Sequence, residues 1–318
     1  ITKEKIGSIA RGNKEDVEKA IAAATAAFPS WSTTPAPERS AVLLKIAQVM
    51  EDNLELLAKA EVVDKGKPMR EALLVDIPMA IDNFRYFAGV IRAEEGGTSM
   101  QDANTLQINQ PEAIGPVGAI VAWNFPIVLW AWKVAPAIAA GCTIVVKIAE
   151  QTPASTMLLM NLLKEADAVP AGVINVVNGF GIEAGKPLAS SPNIAKISFT
   201  GETTTGRLIL QYAAENIIPA TMELGGKSPN VFFNSVMDED DAYLDKAIEG
   251  AVLFAFNQGE VCTCPSRLLV QEDIYDAFME RVIERTNAIV QDNPYDTGTM
   301  LGAQASNDQY EKIQSYLK

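Results

Sequence analysis

The chain has 318 residues, 48% hydrophobic and 21% charged, an ordinary globular composition with room for about two domains. Its net charge of −14 repels phosphate backbones, which argues against nucleic acid as a partner, and no polybasic run suits a membrane surface. With no histidine and only three cysteines, the chain has no disulfide framework and lacks the commonest ligand of zinc and non-haem iron; the expectation is a reducing, cytosolic protein without a metal site.

Up to about residue 90 the apolar spacing predicts helices. Asn13 is placed to cap one through Asp16, Val17, Ala20, Ile21 and Ala24. Pro37 fits the first turn of a second, with Leu43, Leu44, Ile46 and Val49 along it. Leu54–Val63 and Met69–Arg92 carry two more, the latter kinked or broken near Pro78. Gly96–Pro116 differs: Thr105-Leu106-Gln107-Ile108-Asn109 alternates as a half-buried strand does, and a protruding strand pair is expected. The uncharged stretch Ala113–Trp132 is nominally long enough to span a bilayer, but Gly115, Pro116, Asn124 and Pro126 interrupt it, so a strand, a turn and a buried helix are expected instead.

From Gly118 onward strand and helix alternate. Short buried strands are predicted at Ala119–Ala122, Thr143–Lys147, Val173–Val177, Lys196–Phe199 and Thr221–Leu224, separated by helices near Ile127–Ala140, Ala154–Ala166, Glu183–Ser190 and Thr203–Glu215. That alternation argues for an α/β fold with a mostly parallel sheet covered on both faces. After Gly226 a second, less complete α/β unit follows: strand Asn230–Phe233, helix Asp241–Phe254, strand Ser266–Val270 and helices beyond. The chain begins at Ile1 rather than Met and ends at Leu317-Lys318 in a helix-like segment, so both ends are expected to be cut.

Several segments beyond strand ends carry chemistry-bearing residues. Asn178-Gly179-Phe180-Gly181 opens a helix, where glycines and free N–H groups suit a phosphate; a tight turn accounts for it equally well. Gly201 could present backbone N–H groups to a pyrophosphate, with Glu202 turned out to solvent, or simply form a connecting turn. Lys147 and Glu150 follow a strand, and a carboxylate there suits ribose hydroxyls and repels a 2′-phosphate, favouring NAD over NADP; a surface pair framing a turn is the plainer alternative. Asn124, between Trp123 and Phe125, could donate to an oxyanion or merely form a bend.

A reactive cysteine usually relies on histidine as its base, and this chain has none. Cys262, in Gly259-Glu260-Val261-Cys262, therefore needs another partner, and Glu223, in Glu223-Leu224-Gly225-Gly226-Lys227, is the candidate: a partly buried carboxyl titrates higher and can act as a base. A strand-end carboxylate and a small core thiol are the plainer readings of the two. Together the pieces fit one reaction, in which a thiolate adds to a carbonyl, Asn124 and a backbone N–H hold the oxygen, a nicotinamide takes the hydride and Glu223 activates water against the thioester.

These motifs, with Trp132-Lys133 and Phe199-Thr200-Gly201, lie in an order that resembles the NAD(P)-dependent aldehyde dehydrogenase superfamily over almost the whole chain, and the stretches Phe256–Arg267 and Asp238–Asp241 look most like bacterial acetaldehyde dehydrogenases. The resemblance implies a Rossmann-like NAD-binding domain from residues 1–95 and 117–225, oligomerisation strands at 96–116, and a partial catalytic domain at 226–318. It implies that Cys262 is the nucleophile, Glu223 the base, Asn124 the oxyanion donor and Lys133 part of a proton path. Trp123, Lys147, Glu150, Gly181, Gly201, Glu202 and Leu224 would face the cofactor; Phe125, Leu129 and Trp132 would wall an aldehyde tunnel. A small aldehyde substrate and a homo-oligomer, dimer or tetramer, follow from the same likeness. Ile148 stands where many relatives have Pro, and Glu202 where many have Ser, which puts that phosphate contact in doubt. Members continue well past Lys318, so a fragment without turnover is one alternative, and a CoA-acylating dehydrogenase is the other.

Overall fold

In the computed structural model, which describes Lys5 and residues 7–318, Asn13 caps the first helix, α1 (Lys14–Ser32). Its side-chain oxygen accepts the N–H groups of Glu15 and Asp16, and Asp16 returns a bond to the N–H of Asn13. Val17, Ile21 and Ala24 are buried along one face, as their spacing predicts. α2 (Ala36–Asp52) starts with Pro37 in its first turn and buries Leu43, Ile46 and Val49. Leu44 does not join them: it falls on the outer face and is 49% exposed. α3 (Leu54–Lys65) ends on Gly66, whose φ of +81 lies in the left-handed region that favours glycine. A short α4 (Met69–Glu71) passes through one wide turn, Ala72–Asp76, into α5 (Ile77–Val90). The irregularity expected near Pro78 lies just ahead of it, leaving the proline in the first turn of α5, where its missing N–H costs nothing.

β1 (Gly97–Asp102) and β2 (Thr105–Asn109) form an antiparallel hairpin. The expectation of a half-buried strand fails here: every residue of both strands is exposed, Leu106 and Ile108 included. The alternation is real, but no described residue covers either side of it.

The main sheet follows. β3 (Val117–Ile120), β4 (Ile144–Lys147), β5 (Ile174–Val177), β6 (Lys196–Gly201) and β7 (Ala220–Leu224) run parallel in the order β5-β4-β3-β6-β7. α6 (Pro126–Ala139) links β3 to β4, and α7 (Ala154–Glu165) links β4 to β5. A wide turn at Gly181–Gly185 with α8 (Lys186–Ala189) leads to β6, and α9 (Thr203–Ala214) to β7. The uncharged stretch that begins at Ala113 is thus β3, a turn and the start of α6, and no helix among the described residues is long and apolar enough to cross a membrane.

Burial explains the β-branched runs. All four residues of β4 are buried: Ile144 and Val146 join the core under α2, α3, α5, α6 and α7, while Val145 joins the one under α1, α8 and α9. A third cluster lies beyond the sheet. β8 (Pro229–Phe232) pairs in parallel with β9 (Arg267–Val270), and Phe232, with Val236, packs against Leu244 and Ile248 of α10 (Ala242–Ala251) and Phe278 and Val282 of α11 (Tyr275–Asn287). α12 (Asn307–Tyr316) is the last helix described.

Candidate active site

The parallel register brings the carboxyl ends of the strands into line: Lys147 pairs with Ile120 and Val177, Ile120 with Phe199, and Gly201 with Leu224. The order of strands reverses at β3, so the crevice between β3 and β6 is a topological switch point, the usual ligand position in an open α/β sheet. Trp123, Lys147, Glu150, Gly181, Gly201, Glu202 and Leu224 all lie at or just beyond these strand ends.

Lys147 is buried, and its Nζ stands 2.6 Å from Glu150 Oε2, while Glu150 remains partly exposed. The pair presents a fixed carboxylate and an ammonium at the end of β4, a donor and acceptor set that fits ribose hydroxyls. Gly181 opens the wide turn after β5 with clear space where a Cβ would stand, so a ligand can approach its backbone. A Cβ on Gly201 would meet the Phe199 ring at 2.6 Å, which ties that glycine to packing. At the end of β6, the buried Thr200 Oγ1 has no hydrogen-bond partner among the described residues. These features fit a dinucleotide at the sheet edge. Glu202 corrects the expectation made for it: although exposed, its carboxylate is turned back onto the start of α9 and accepts the N–H groups of Thr204 and Thr205 at 2.7 and 3.1 Å. Partial burial works to raise its pKa, but those bonds prevail and hold it below the ordinary value. The helix N-terminus that would suit a phosphate already carries a negative charge.

Of the three cysteines, Cys142 and Cys264 are buried and Cys262 is half-buried. Burial pushes the Cys264 thiol up, with Lys227 opposing, so it is poorly suited to attack. The approach to Cys262 is unusual. Asn257, Gln258 and Gly259 take left-handed φ values of +48, +57 and +76 in succession. Two adjacent non-glycine residues there persist only where the surroundings over-determine them. They do so here. The Asn257 N–H donates to the Glu71 carboxylate at 3.2 Å. Asn257 Nδ2 donates to the Asn124 carbonyl at 2.8 Å, Gln258 Nε2 to the Ala303 carbonyl, and Gln304 Nε2 to the Gln258 carbonyl. Asn124 Nδ2 in turn donates to the Glu260 carbonyl at 2.9 Å. An amide nitrogen carries two protons, so Asn124 retains one for another acceptor. Phe125 packs on Phe256 with ring centroids 6.0 Å apart. The structure therefore laces the Asn124 segment to the segment leading into Cys262.

Glu223 departs from expectation. It lies near the end of β7, an edge strand paired only with β6, and is exposed rather than partly buried. The burial on which that reading rested is not present. Gly226, three residues on, approaches the Cys262 main chain: a Cβ there would lie 3.7 Å from the Cys262 carbonyl oxygen. Lys133, half-buried on α6, has its pKa lowered by burial, with the charge of Glu223 opposing. Leu129, four residues ahead of Lys133, is buried in the main core, Phe125 packs partly buried against that same core, and Trp132 is 47% exposed.

Beneath the two laced segments is a group of charges that the sequence reading passed over. Glu61, Lys65, Lys67, Glu71, Asp76 and Glu260 are all buried. Lys65 pairs with Glu260, and Lys67 with Asp76. Glu61 Oε1 accepts the Ile127 N–H at 3.1 Å and the Ser155 hydroxyl at 2.6 Å. Lys65 Nζ lies 5.5 Å from the Trp123 ring centroid and Lys67 Nζ 4.7 Å from that of Phe125. Burial raises the carboxyls of Glu71, to about 7, and of Glu260, with the lysines opposing. One signal was available: Glu61 and Lys65 are four apart on a helix whose inner face they share with Leu57, Ala58 and Val62. No group of His, Cys, Asp and Glu suited to a metal occurs among the described residues.

Comparison with known proteins bears on this arrangement. Residues 1–318 match the aldehyde dehydrogenase family. An aldehyde dehydrogenase of Deinococcus radiodurans is 63% identical over 308 residues, covering 97% of this chain and 59% of its own length. Acetaldehyde dehydrogenase 2 of Cupriavidus necator is 57% identical over 317 residues, covering 100% of this chain and 62% of its own. The NAD+ complex of an aldehyde dehydrogenase from Bacillus cereus superimposes with a TM-score of 0.90 at 38% identity, over 97% of this chain and 62% of that one. The chain spans less than two thirds of the length of each.

Proposed function

The chain belongs to the aldehyde dehydrogenase family, and from that premise we propose that the protein oxidises a small, acetaldehyde-like aliphatic aldehyde to its carboxylic acid with NAD. The observation that carries this reading is the lacing of Asn124 to the strained segment that delivers Cys262.

Cys262 Sγ, as the thiolate, adds to the carbonyl carbon. The free proton of the Asn124 amide and a backbone N–H receive the developing oxygen charge. Lys147 and Glu150 would hold the adenosine ribose, with Trp123, Gly181, Gly201 and Leu224 alongside; bound NAD supplies the hydride acceptor that turns the adduct into a thioester. The Glu150 carboxylate repels a 2′-phosphate and favours NAD over NADP. Glu223 then takes a proton from water, the hydroxide attacks the thioester carbon, and the acid leaves as the thiolate is restored. Lys133 beside Glu223 provides a route for that proton. Glu202, committed to capping α9, takes no phosphate in this scheme.

An exposed Glu223 suits water as acceptor and weighs against transfer to CoA. A core of its own for Phe232–Val282, apart from the two that cover the main sheet, and a fully exposed hairpin support a division into a cofactor domain (1–95 and 117–225), a hairpin (96–116) that joins subunits, and a catalytic region from 226. Replacing Cys262 by Ala should abolish NADH production from acetaldehyde, with free acid rather than acyl-CoA as the product of the unsubstituted protein. Retained turnover would overturn the proposal.

A further inference from the structure

Two loops meet at the candidate active site, and neither is held by the sheet alone. The Asn124 segment is tied by its own amide to the Glu260 carbonyl and by its backbone carbonyl to Asn257 Nδ2. The Glu260 carbonyl also accepts from Asn257 Nδ2 at 3.2 Å. The acceptor that orients the Asn124 amide is therefore the main chain of Glu260, so the placing of that main chain sets the direction of the amide.

What places it is the Glu260 side chain. One carboxylate oxygen pairs with Lys65, a cation with no exposed surface, and the other accepts the Ala305 N–H at 3.1 Å. Lys65 is fixed in turn at the last turn of α3, and Ala303 donates to the carbonyl of the adjoining Gly66 at 3.0 Å. The Glu260 carboxylate thus joins three stretches of chain, α3, the Cys262 approach and 302–305, at one point. In a dry interior such a pair is costly to form and is strongly destabilising when broken one-sidedly. A neutral apolar contact would hold the loop without this directional demand, which points to placement as the use of the charge.

We propose that Glu260 is a positioning residue: its buried carboxylate, clamped between Lys65 and the Ala305 N–H, sets the main-chain carbonyl that aims the Asn124 amide. This rests on the reading of Asn124 as the oxyanion donor. Glu260 touches no reacting atom and acts through Asn124 alone.

The test is a double-mutant cycle in the purified protein. Glu260→Ala should lower kcat at least about tenfold, a part of what a misdirected oxyanion donor forfeits. Affinity for NAD, bound at the sheet edge, should stay within about twofold, and in an Asn124→Ala background the same change should lower kcat less than about twofold. Equal losses in both backgrounds, or loss of NAD binding, would overturn the proposal. If Glu260→Ala does not fold, Glu260→Gln replaces it, since it keeps an acceptor for Ala305 and removes only the charge. A crystal structure of the variant needs no turnover: the Asn124 amide should leave the Glu260 carbonyl, and an unmoved amide would refute the idea. Absence of NADH production by the unsubstituted protein would sink the proposed activity instead and leave this crystallographic arm to decide the placement.

Discussion

Asn124 follows β3 and Glu223 lies near the end of β7, two strands away across the same sheet, yet their surroundings differ sharply. Asn124 is enclosed by the Asn257 and Glu260 segments and stands over buried ion pairs. Glu223 is exposed on an edge strand, and its charge opposes the lowering of the Lys133 pKa by burial. The Asn124 side is built against the core; the Glu223 side is built as a surface. Substitutions should therefore separate stability from activity differently on the two sides.

The largest separation is expected at Glu223. Glu223→Gln should leave the denaturation midpoint almost unmoved, within about 0.5 kcal/mol, because it removes no buried partner. It should slow steady-state turnover by about 10²–10⁴-fold while a burst of NADH persists, since only thioester hydrolysis needs the base. A burst lost with the steady state would show that Glu223 acts earlier. Lys65→Met tests the other side. It leaves the Glu260 carboxylate buried without its cation, and urea denaturation should show a loss of about 3–5 kcal/mol. A neutral outcome would mean that the Asn124 side is no more embedded than the Glu223 side.

Gly302→Ala sharpens the contrast from a distance. Its Cβ would run into the Gly66 carbonyl oxygen, backbone against backbone, and the expected loss is about 1–3 kcal/mol in the same measurement. The effect smallest per step is one of pH. Burial, helped by the charge of Glu61 and opposed by the Ala154 N–H, pushes the Asp64 carboxyl up to about 7 from 3.8. The folded state thus holds a proton that the unfolded state has released, so the contribution of Asp64 is fully present below about pH 4 and is lost as pH rises through about 7. Asp64→Asn, which keeps an acceptor for Ala154, should gain on the parent between about pH 4 and 7, by less than about 1 kcal/mol per pH unit given its partial exposure. A constant difference across that range would refute the assignment.

The strands from β3 to β7 were legible in position because continuous runs of Ile and Val, as at 144–146, mark burial on both faces and glycine, proline and asparagine mark the turns between them, but β7, expected to be buried, is an edge strand and mostly exposed. Glu202 was read in place but not in direction: a carboxylate ahead of Thr203-Thr204-Thr205 is a capping residue, and the prospect of a phosphate drew attention from that plainer role. Glu223 was read as partly buried from its apolar neighbours, which say nothing about which strand forms the edge of a sheet. The charge cluster was not legible at all. A helical pattern marks Leu57, Ala58 and Val62 as inner, but Lys65 becomes an inner residue only when Glu260 arrives to meet it.

That arrival has a consequence for how the molecule comes into being. Lys65 and Glu260 are 195 positions apart, and Gly66 is met by Ala303 from further along still. Contacts at such separation are late ones, because a long stretch of chain must be gathered before they repay its lost freedom. During synthesis, the sheet and its helices can assemble well before the segment around Ala303 has emerged. The thiol of Cys262 would then remain in an unshaped loop while the rest of the fold is already in place. The Lys65–Glu260 pair can therefore form only once most of this chain is present.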